Sequence, residues 1–314
     1  MNHSRIIAYV ELTIAAILIG SSIVAGKITT MQMPVFLSQA ISLVIALLLL
    51  IPILMLSGKS SLRVGRKDFL FLLLQAFLGM FLFRVFMLYG LRTALATEAG
   101  IVTSLTPAVV AFLSYMILKE KLTNPIKIGI ICSILGVVSI QVPGWLIPSS
   151  GPPSKASYIG LLLILGAVVG ESMLTILRKM TASNVSSLLG TTYVTLFSFI
   201  MFLPIALVEA KQYDFSSVTV GDIGLLFYYG IFVTALAYIL WFRGVSKVSA
   251  GTAAVYTSCI PLSTVLLSYG ILNEPFSWSH LVGGAFVCLG IWQVSKSDSF
   301  VSRKPKKSPK SSSA

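Results

Sequence analysis

The chain has 314 residues, of which 56% are hydrophobic and only 11% charged, with a formal net charge of +13 at pH 7. A soluble chain carries about 25% charged residues, and here apolar runs of roughly 18 to 24 residues recur from end to end, each long enough to cross a bilayer core of ~30 Å as a helix. The composition excludes a soluble domain, and the positive charge reflects membrane orientation rather than nucleic-acid binding.

Ten spans are expected, at roughly 6–26, 34–56, 69–90, 94–118, 125–142, 158–178, 187–208, 222–242, 248–272 and 278–295. Turn chemistry marks the breaks at Met33-Pro34, Ser57-Gly58-Lys59, Asn124-Pro125, Pro143-Gly144 and Asn273-Glu274-Pro275. The first span is too long for the apolar core of a signal peptide and carries Glu11, so it reads as an uncleaved helix. With both termini cytosolic, 18 of the 23 Lys and Arg residues fall inside, four (Lys27, Arg92, Lys155, Lys211) fall outside, and Arg84 alone lies within a span. That asymmetry is the positive-inside rule. A wrong span count would scramble it.

Two stretches 154 residues apart repeat one another. Thr103, Ser104, Pro107, Leu113-Ser114-Tyr115, Ile117-Leu118 and Glu120 return as Thr257, Ser258, Pro261, Leu267-Ser268-Tyr269, Ile271-Leu272 and Glu274. Gly90/Gly244, Ala96/Ala250, Gly129/Gly283, Gly136/Gly290 and Asp68/Asp222 extend the register. Apolar composition alone does not place these residues in step, so the chain is an internal duplication. Each copy holds five spans, an odd number, so the second enters the membrane from the opposite face. The expected fold is therefore an all-α integral membrane protein whose ten transmembrane helices form two inverted five-helix repeats. Residues 1–142 form the first repeat, 143–157 the connecting loop, 158–296 the second repeat, and 297–314 a disordered, basic, cytosolic tail.

These features resemble the EamA-like transporters of the drug/metabolite transporter superfamily. The residues that carry the resemblance are Gly90 to Ala99 leading to Leu105-Thr106-Pro107 and Leu118-Lys119-Glu120, with Gly244 to Ala250, Ile260-Pro261 and Leu272-Asn273-Glu274 as the second copy. The resemblance implies a central cavity lined mainly by spans 1, 3, 4, 6, 8 and 9, and a metabolite as substrate, often exported. Glu98 departs from the pattern, standing where the second copy has Thr252.

Charge within the bilayer carries the sharpest functional signal, because a charged side chain at a helix centre costs about 2.5–3.5 kcal/mol on insertion scales. Arg84 in span 3, Glu98 near the outer end of span 4 and Glu171 near the middle of span 6 are such residues. Two readings of Arg84 stand. It anchors an anionic group of the substrate, or it forms an internal ion pair with Glu98 or Glu171. Glu171 is also the candidate proton-coupling group. Tyr238, Tyr256, Thr103 and Thr257 complete the candidate substrate-binding set, since aromatic faces and hydroxyls suit amphipathic solutes. Pro107 and Pro261, near the middle of spans 4 and 9, are candidate hinges or fixed packing kinks. Glu120 and Glu274 read as carboxylates that cap a neighbouring helix N-terminus.

Cys132, Cys259 and Cys288 lie in apolar runs and His3 and His280 are far apart, so no metal, cofactor or catalytic set is expected. The functional expectation is a secondary transporter in a cytoplasmic membrane, not an enzyme. It exports a small polar or amphipathic metabolite, an amino acid first, by alternating access. Uptake or exchange of a nucleoside or sugar is the alternative within transport, and a polytopic enzyme or sensor the alternative outside it. The expected partners are a small-molecule substrate and membrane lipid, with no nucleic acid, and the chain is a monomer or homodimer.

Overall fold

The computed structural model describes residues 3–57, 64–93, 102–103, 105–120, 122–146, 155–181, 185–272, 282–286, 288–290 and 292–293. Among them, all regular structure is helical. Helix α1 is His3–Gln32 and α2 is Val35–Leu56. Helix α3 runs Arg66–Ala76, passes through a π segment at Phe77–Leu82 and continues as Phe83–Thr93. Helix α4 is Thr106–Leu118, its last turn also π. Helices α5, α6 and α7 are Asn124–Leu146, Lys155–Met180 and Ser187–Gln212. Helix α8, Val220–Lys247, holds a π segment at Tyr229–Leu236. Helix α9 comes in two parts, Ala250–Thr257 and Cys259–Leu272.

Five of these helices, α1, α2, α3, α7 and α8, are apolar over a length that crosses a membrane. They coincide with the expected spans 6–26, 34–56, 69–90, 187–208 and 222–242. Helix α5 continues through Pro143 and Gly144 to Leu146, and α6 begins at Lys155, so both helices reach into the expected 143–157 connection. A proline is tolerated inside such helices where neighbours satisfy the freed carbonyl. Span 278–295 is described only in short helical pieces, and the tail 297–314 and Glu274 lie outside the described residues.

The distribution of side chains is that of a protein solvated by lipid. Leu48, Met55, Leu56, Leu162 and Leu207 are all more than half exposed, whereas Gln39, Gln75, Arg84, Thr191, Thr195 and Thr234 are buried. In hydrocarbon the outward apolar face carries no penalty, and polar groups turn inward, away from the lipid.

Helix α2 packs along α7, α3 along α6, and α1 along both the last part of α8 and the second part of α9. Helix α4 packs on α6 and on the first part of α9. A shift of 154 residues exchanges α1 with α6, α3 with α8 and α4 with α9. Under that exchange the α1–α8 contact becomes α6–α3, the α1–α9 contact becomes α6–α4, and α2–α7 maps onto itself. The α3–α6 approach depends on Gly79, where an added Cβ would lie 2.5 Å from the Leu174 Cβ.

Carboxylates fasten two helix starts. The Leu37 amide of α2 donates to Glu209 of α7 at 2.8 Å. Glu120, just past α4, accepts from the Ala250 amide of α9 at 3.1 Å and from Ser114 Oγ at 3.1 Å. Each supplies an acceptor and a favourable charge to amides that have no partner within their own helix. Glu120 thus ties α4 to α9 rather than to α5, the helix that follows it in sequence.

Candidate functional site

Two confluent lobes of one cavity lie between the helices, with about 610 Å³ and 530 Å³ of space unfilled by protein atoms. They share Ile19 and Ser22 of α1, Phe83 and Arg84 of α3, Glu171 of α6 and Tyr229 of α8. The first lobe adds Gly26, Leu88, Leu91, Thr103, Thr106, Thr257 and Pro261, and the second adds Gly79, Leu174, Val233, Tyr238 and Trp241. The lining therefore comes from α1, α3, α4 with the residues just before it, α6, α8 and α9. These are the six spans that the family resemblance implies.

Arg84 follows the π segment of α3 and is 4% exposed. Its Nη1 donates to Gln39 Oε1 at 2.8 Å and its Nη2 to Thr234 Oγ1 at 2.8 Å. Its guanidinium carbon lies 5.5 Å from the Tyr229 ring centroid, a cation–π distance. All three partners are neutral. Glu11 forms ion pairs with Arg243, at 2.9 Å, and with Lys247, at 2.8 Å. Arg84 and Glu171 thus share a cavity without pairing, and Glu98 lies outside the described residues.

Glu171 is partly exposed to the cavity, and the Thr106 hydroxyl approaches its Oε2 at 3.4 Å. The same hydroxyl lies closer to the Thr103 carbonyl, at 2.9 Å. With a single proton, Thr106 donates to one of them at a time.

Pro107 is the second residue of α4, and Pro261 is the third residue of the second part of α9. Both stand in a first helical turn, where a missing N–H leaves few bonds unmade. Each still withholds the amide that would bond the carbonyl four residues back, at Thr103 and Thr257. Those two residues line the cavity, so the prolines open the backbone beside the site. Thr257 Oγ1 itself donates to the Ala254 carbonyl at 2.6 Å.

Of the residues expected from sequence, Arg84, Glu171, Tyr238, Thr103 and Thr257 come together around this cavity. Tyr256 does not line it. Its ring is 2% exposed and stacks on Tyr9, with centroids 5.5 Å apart and planes at 14°. Sequence reasoning missed Gln39, Thr234, Tyr229 and Thr106. Tyr229 shares a register with Gln75, and Thr234 with Met80, so the repeat alone singles out neither.

The apolar helices define a multi-pass membrane protein, and they enclose a largely apolar cavity in which Arg84 and Glu171 are the charged groups of the lining. The sequence model of the EamA-like transporter family matches residues 6–141 and again 158–296, and the chain belongs to that family. It is 41% identical over 285 residues to the uncharacterized transporter YetK of Bacillus subtilis (strain 168), covering 91% of this chain and 86% of that protein. It is 27% identical over 248 residues to an uncharacterized transporter of Archaeoglobus fulgidus, covering 78% of this chain and 83% of that one. A crystal structure of a protein 18% identical to it shares the fold, with a TM-score of 0.74 over 92% of this chain and 97% of the other. The chain is a membrane transporter by family.

Proposed function

We propose that the protein is a secondary exporter of a zwitterionic metabolite, an amino acid with an apolar side chain, across the cytoplasmic membrane. The observation that carries this is one cavity holding Arg84 and Glu171 unpaired with one another. A fixed cation and a fixed carboxylate complement the carboxylate and ammonium of an amino acid. Ile19, Phe83, Met87 and Leu88 would take its side chain, with Tyr229, Tyr238 and Trp241 nearby. Glu171 binds either a proton or the substrate ammonium, so the two compete, which couples export to proton return. Thr103 and Thr257 offer hydroxyls and carbonyls to the same solute.

The mechanism is alternating access by two inverted five-helix halves, residues 1–142 and 158–296, with both termini cytosolic. The doubled family match and the helix contacts that interchange under the 154-residue shift support this arrangement. The cavity extends along α1 to Gly26 and along α3 to Leu91, toward the side assigned as outer. At the opposite ends, Glu11 ties α1 to Arg243 and Lys247 of α8. The conformation is accordingly outward-facing.

Proteoliposome counterflow tests the reading. Liposomes preloaded with unlabelled L-leucine are expected to accumulate labelled L-leucine transiently when they contain the protein. Absence of counterflow for every amino acid of a full panel, with counterflow of a nucleoside or sugar, would assign the site to the other substrate class. Chemical conversion of a solute without its movement would make the protein an enzyme instead.

A further inference from the structure

The surroundings of Arg84 differ from those of an ordinary intramembrane arginine. A buried guanidinium normally pairs with a carboxylate, since removing it from water without one leaves its charge uncompensated. Here it donates to an amide oxygen, from Gln39, and to a hydroxyl, from Thr234, each at 2.8 Å, with the Tyr238 hydroxyl also within reach. Gln39 and Thr234 come from α2 and from the π segment of α8, which pack directly against each other, and Gln39 is 1% and Thr234 0% exposed. Thr234 sits within the π segment of α8, where an inserted residue turns the helix relative to an unbroken one. Neither side chain of this pair belongs to the cavity lining, and Gln39 touches no part of the lobes described above.

We propose that Gln39 and Thr234 are charge-conserving positioning residues that fix the Arg84 guanidinium while leaving its full positive charge available to a carboxylate in the cavity. An acidic residue at either position would make the same hydrogen bond and satisfy Arg84 within the protein, so the substrate carboxylate would then enter a neutral site. The amide and the hydroxyl hold the fork in place through dipoles alone. The Tyr229 ring face adds a third neutral support. This inference rests on the carboxylate-recognition reading of the cavity.

The test uses the full-length protein in lipid nanodiscs, with binding of labelled L-leucine and competition by 3-methylbutylamine, which is leucine without its carboxyl group. The wild type is expected to prefer leucine by at least about ten-fold, the worth of one charge-assisted hydrogen bond. Gln39→Glu keeps an acceptor in place and is expected to remove that preference while the variant remains folded. Gln39→Met removes the acceptor but keeps the site's charge, and is expected to weaken leucine binding only about three-fold. Thr234→Asp against Thr234→Val gives the same ordering, should either Gln39 variant fail to fold. A purely structural role predicts the reverse order, because Glu and Asp preserve the bond that Met and Val lose. The reverse order, or a leucine preference that survives Gln39→Glu, overturns this inference alone. A wild type without the preference overturns it together with the carboxylate reading.

Discussion

Arg84 and Tyr238 stand 154 positions apart, at the same register of the two halves, and each hydrogen-bonds into the helix that carries the other. Arg84 Nη2 donates to Thr234 Oγ1 of α8 at 2.8 Å, and the Tyr238 hydroxyl donates to the Gly79 carbonyl of α3 at 3.5 Å. Both acceptors lie in π segments that end at matching positions, Leu82 and Leu236. One fold position therefore carries a cation in one half and a neutral phenol in the other. A substrate site built from duplicated halves needs such inequality, because identical halves would present the same group to both ends of an asymmetric solute.

Gly79 should be the least replaceable glycine of α3. A Cβ there would come within 2.5 Å of the Leu174 Cβ, so Gly79→Ala must separate α3 from α6. Overpacking of this kind costs about 1–3 kcal/mol. The measurement is apparent Tm in detergent, expected to fall for Gly79→Ala. Gly224→Ala is the control, since nothing lies within 4 Å of its added Cβ. Its helix should gain about 0.5–1 kcal/mol. An unchanged Tm in Gly79→Ala would show that the α3–α6 contact yields without cost.

Glu11→Gln should loosen the end of the protein opposite the cavity mouth. Glu11 is largely buried and faces Arg243 and Lys247, which are partly exposed. Because water screens those partners, the loss of stability should be modest, on the order of 1 kcal/mol. The functional effect is expected to be larger, a shift toward the inward-open state. Cysteine introduced at Val245 should become more reactive to a reagent from the cytosolic side in Glu11→Gln than in the parent. Equal reactivity would make the ion pairs a surface feature without influence on access.

Intramembrane charge is legible in a sequence because its cost is large. Arg84 and Glu171 stood out for that reason, and both line the cavity. Gln39 and Thr234 gave no such signal. A neutral amide or hydroxyl in an apolar run is cheap, and only the fold brings residues 39, 84 and 234 together. Tyr256 was legible as deep but not as to which way it faces, since Ala250–Thr257 is buried on every side and has no polar face to orient it. The prolines were legible as interruptions. That α4 and the second part of α9 restart around them depends on where the preceding turn breaks, which apolar periodicity does not record.

Pro107→Ala and Pro261→Ala should leave folding nearly intact and alter switching. Each proline occupies a first helical turn, so a substituted alanine adds an amide without a steric clash, and the change in stability should stay within about 1 kcal/mol. The added N–H can bond the Thr103 or Thr257 carbonyl beside the cavity. Stop-flow counterflow is expected to show slower exchange with substrate affinity retained. Wild-type exchange rates in both variants would reduce the prolines to packing features.

The proposed inverted arrangement would place the ends of α2 and α7 on opposite sides of the membrane. In a background free of Cys132, Cys259 and Cys288, cysteine at Ser57 should react with impermeant reagent only from the cytosol. Cysteine at Ser217, which is exposed beyond α7, should react only from outside. Labelling of both positions from one side of intact cells would refute the inverted arrangement.

The claim that Arg84 receives the substrate's carboxylate is tested most directly by ligand-induced stabilisation of wild-type protein and of Arg84→Gln. A ligand that binds only the folded state raises Tm in proportion to the logarithm of its concentration over Kd. The expected result is a wild type stabilised by L-leucine and not by 3-methylbutylamine, beside a folded Arg84→Gln that L-leucine no longer stabilises. An Arg84→Gln protein stabilised by L-leucine as much as the wild type would contradict it.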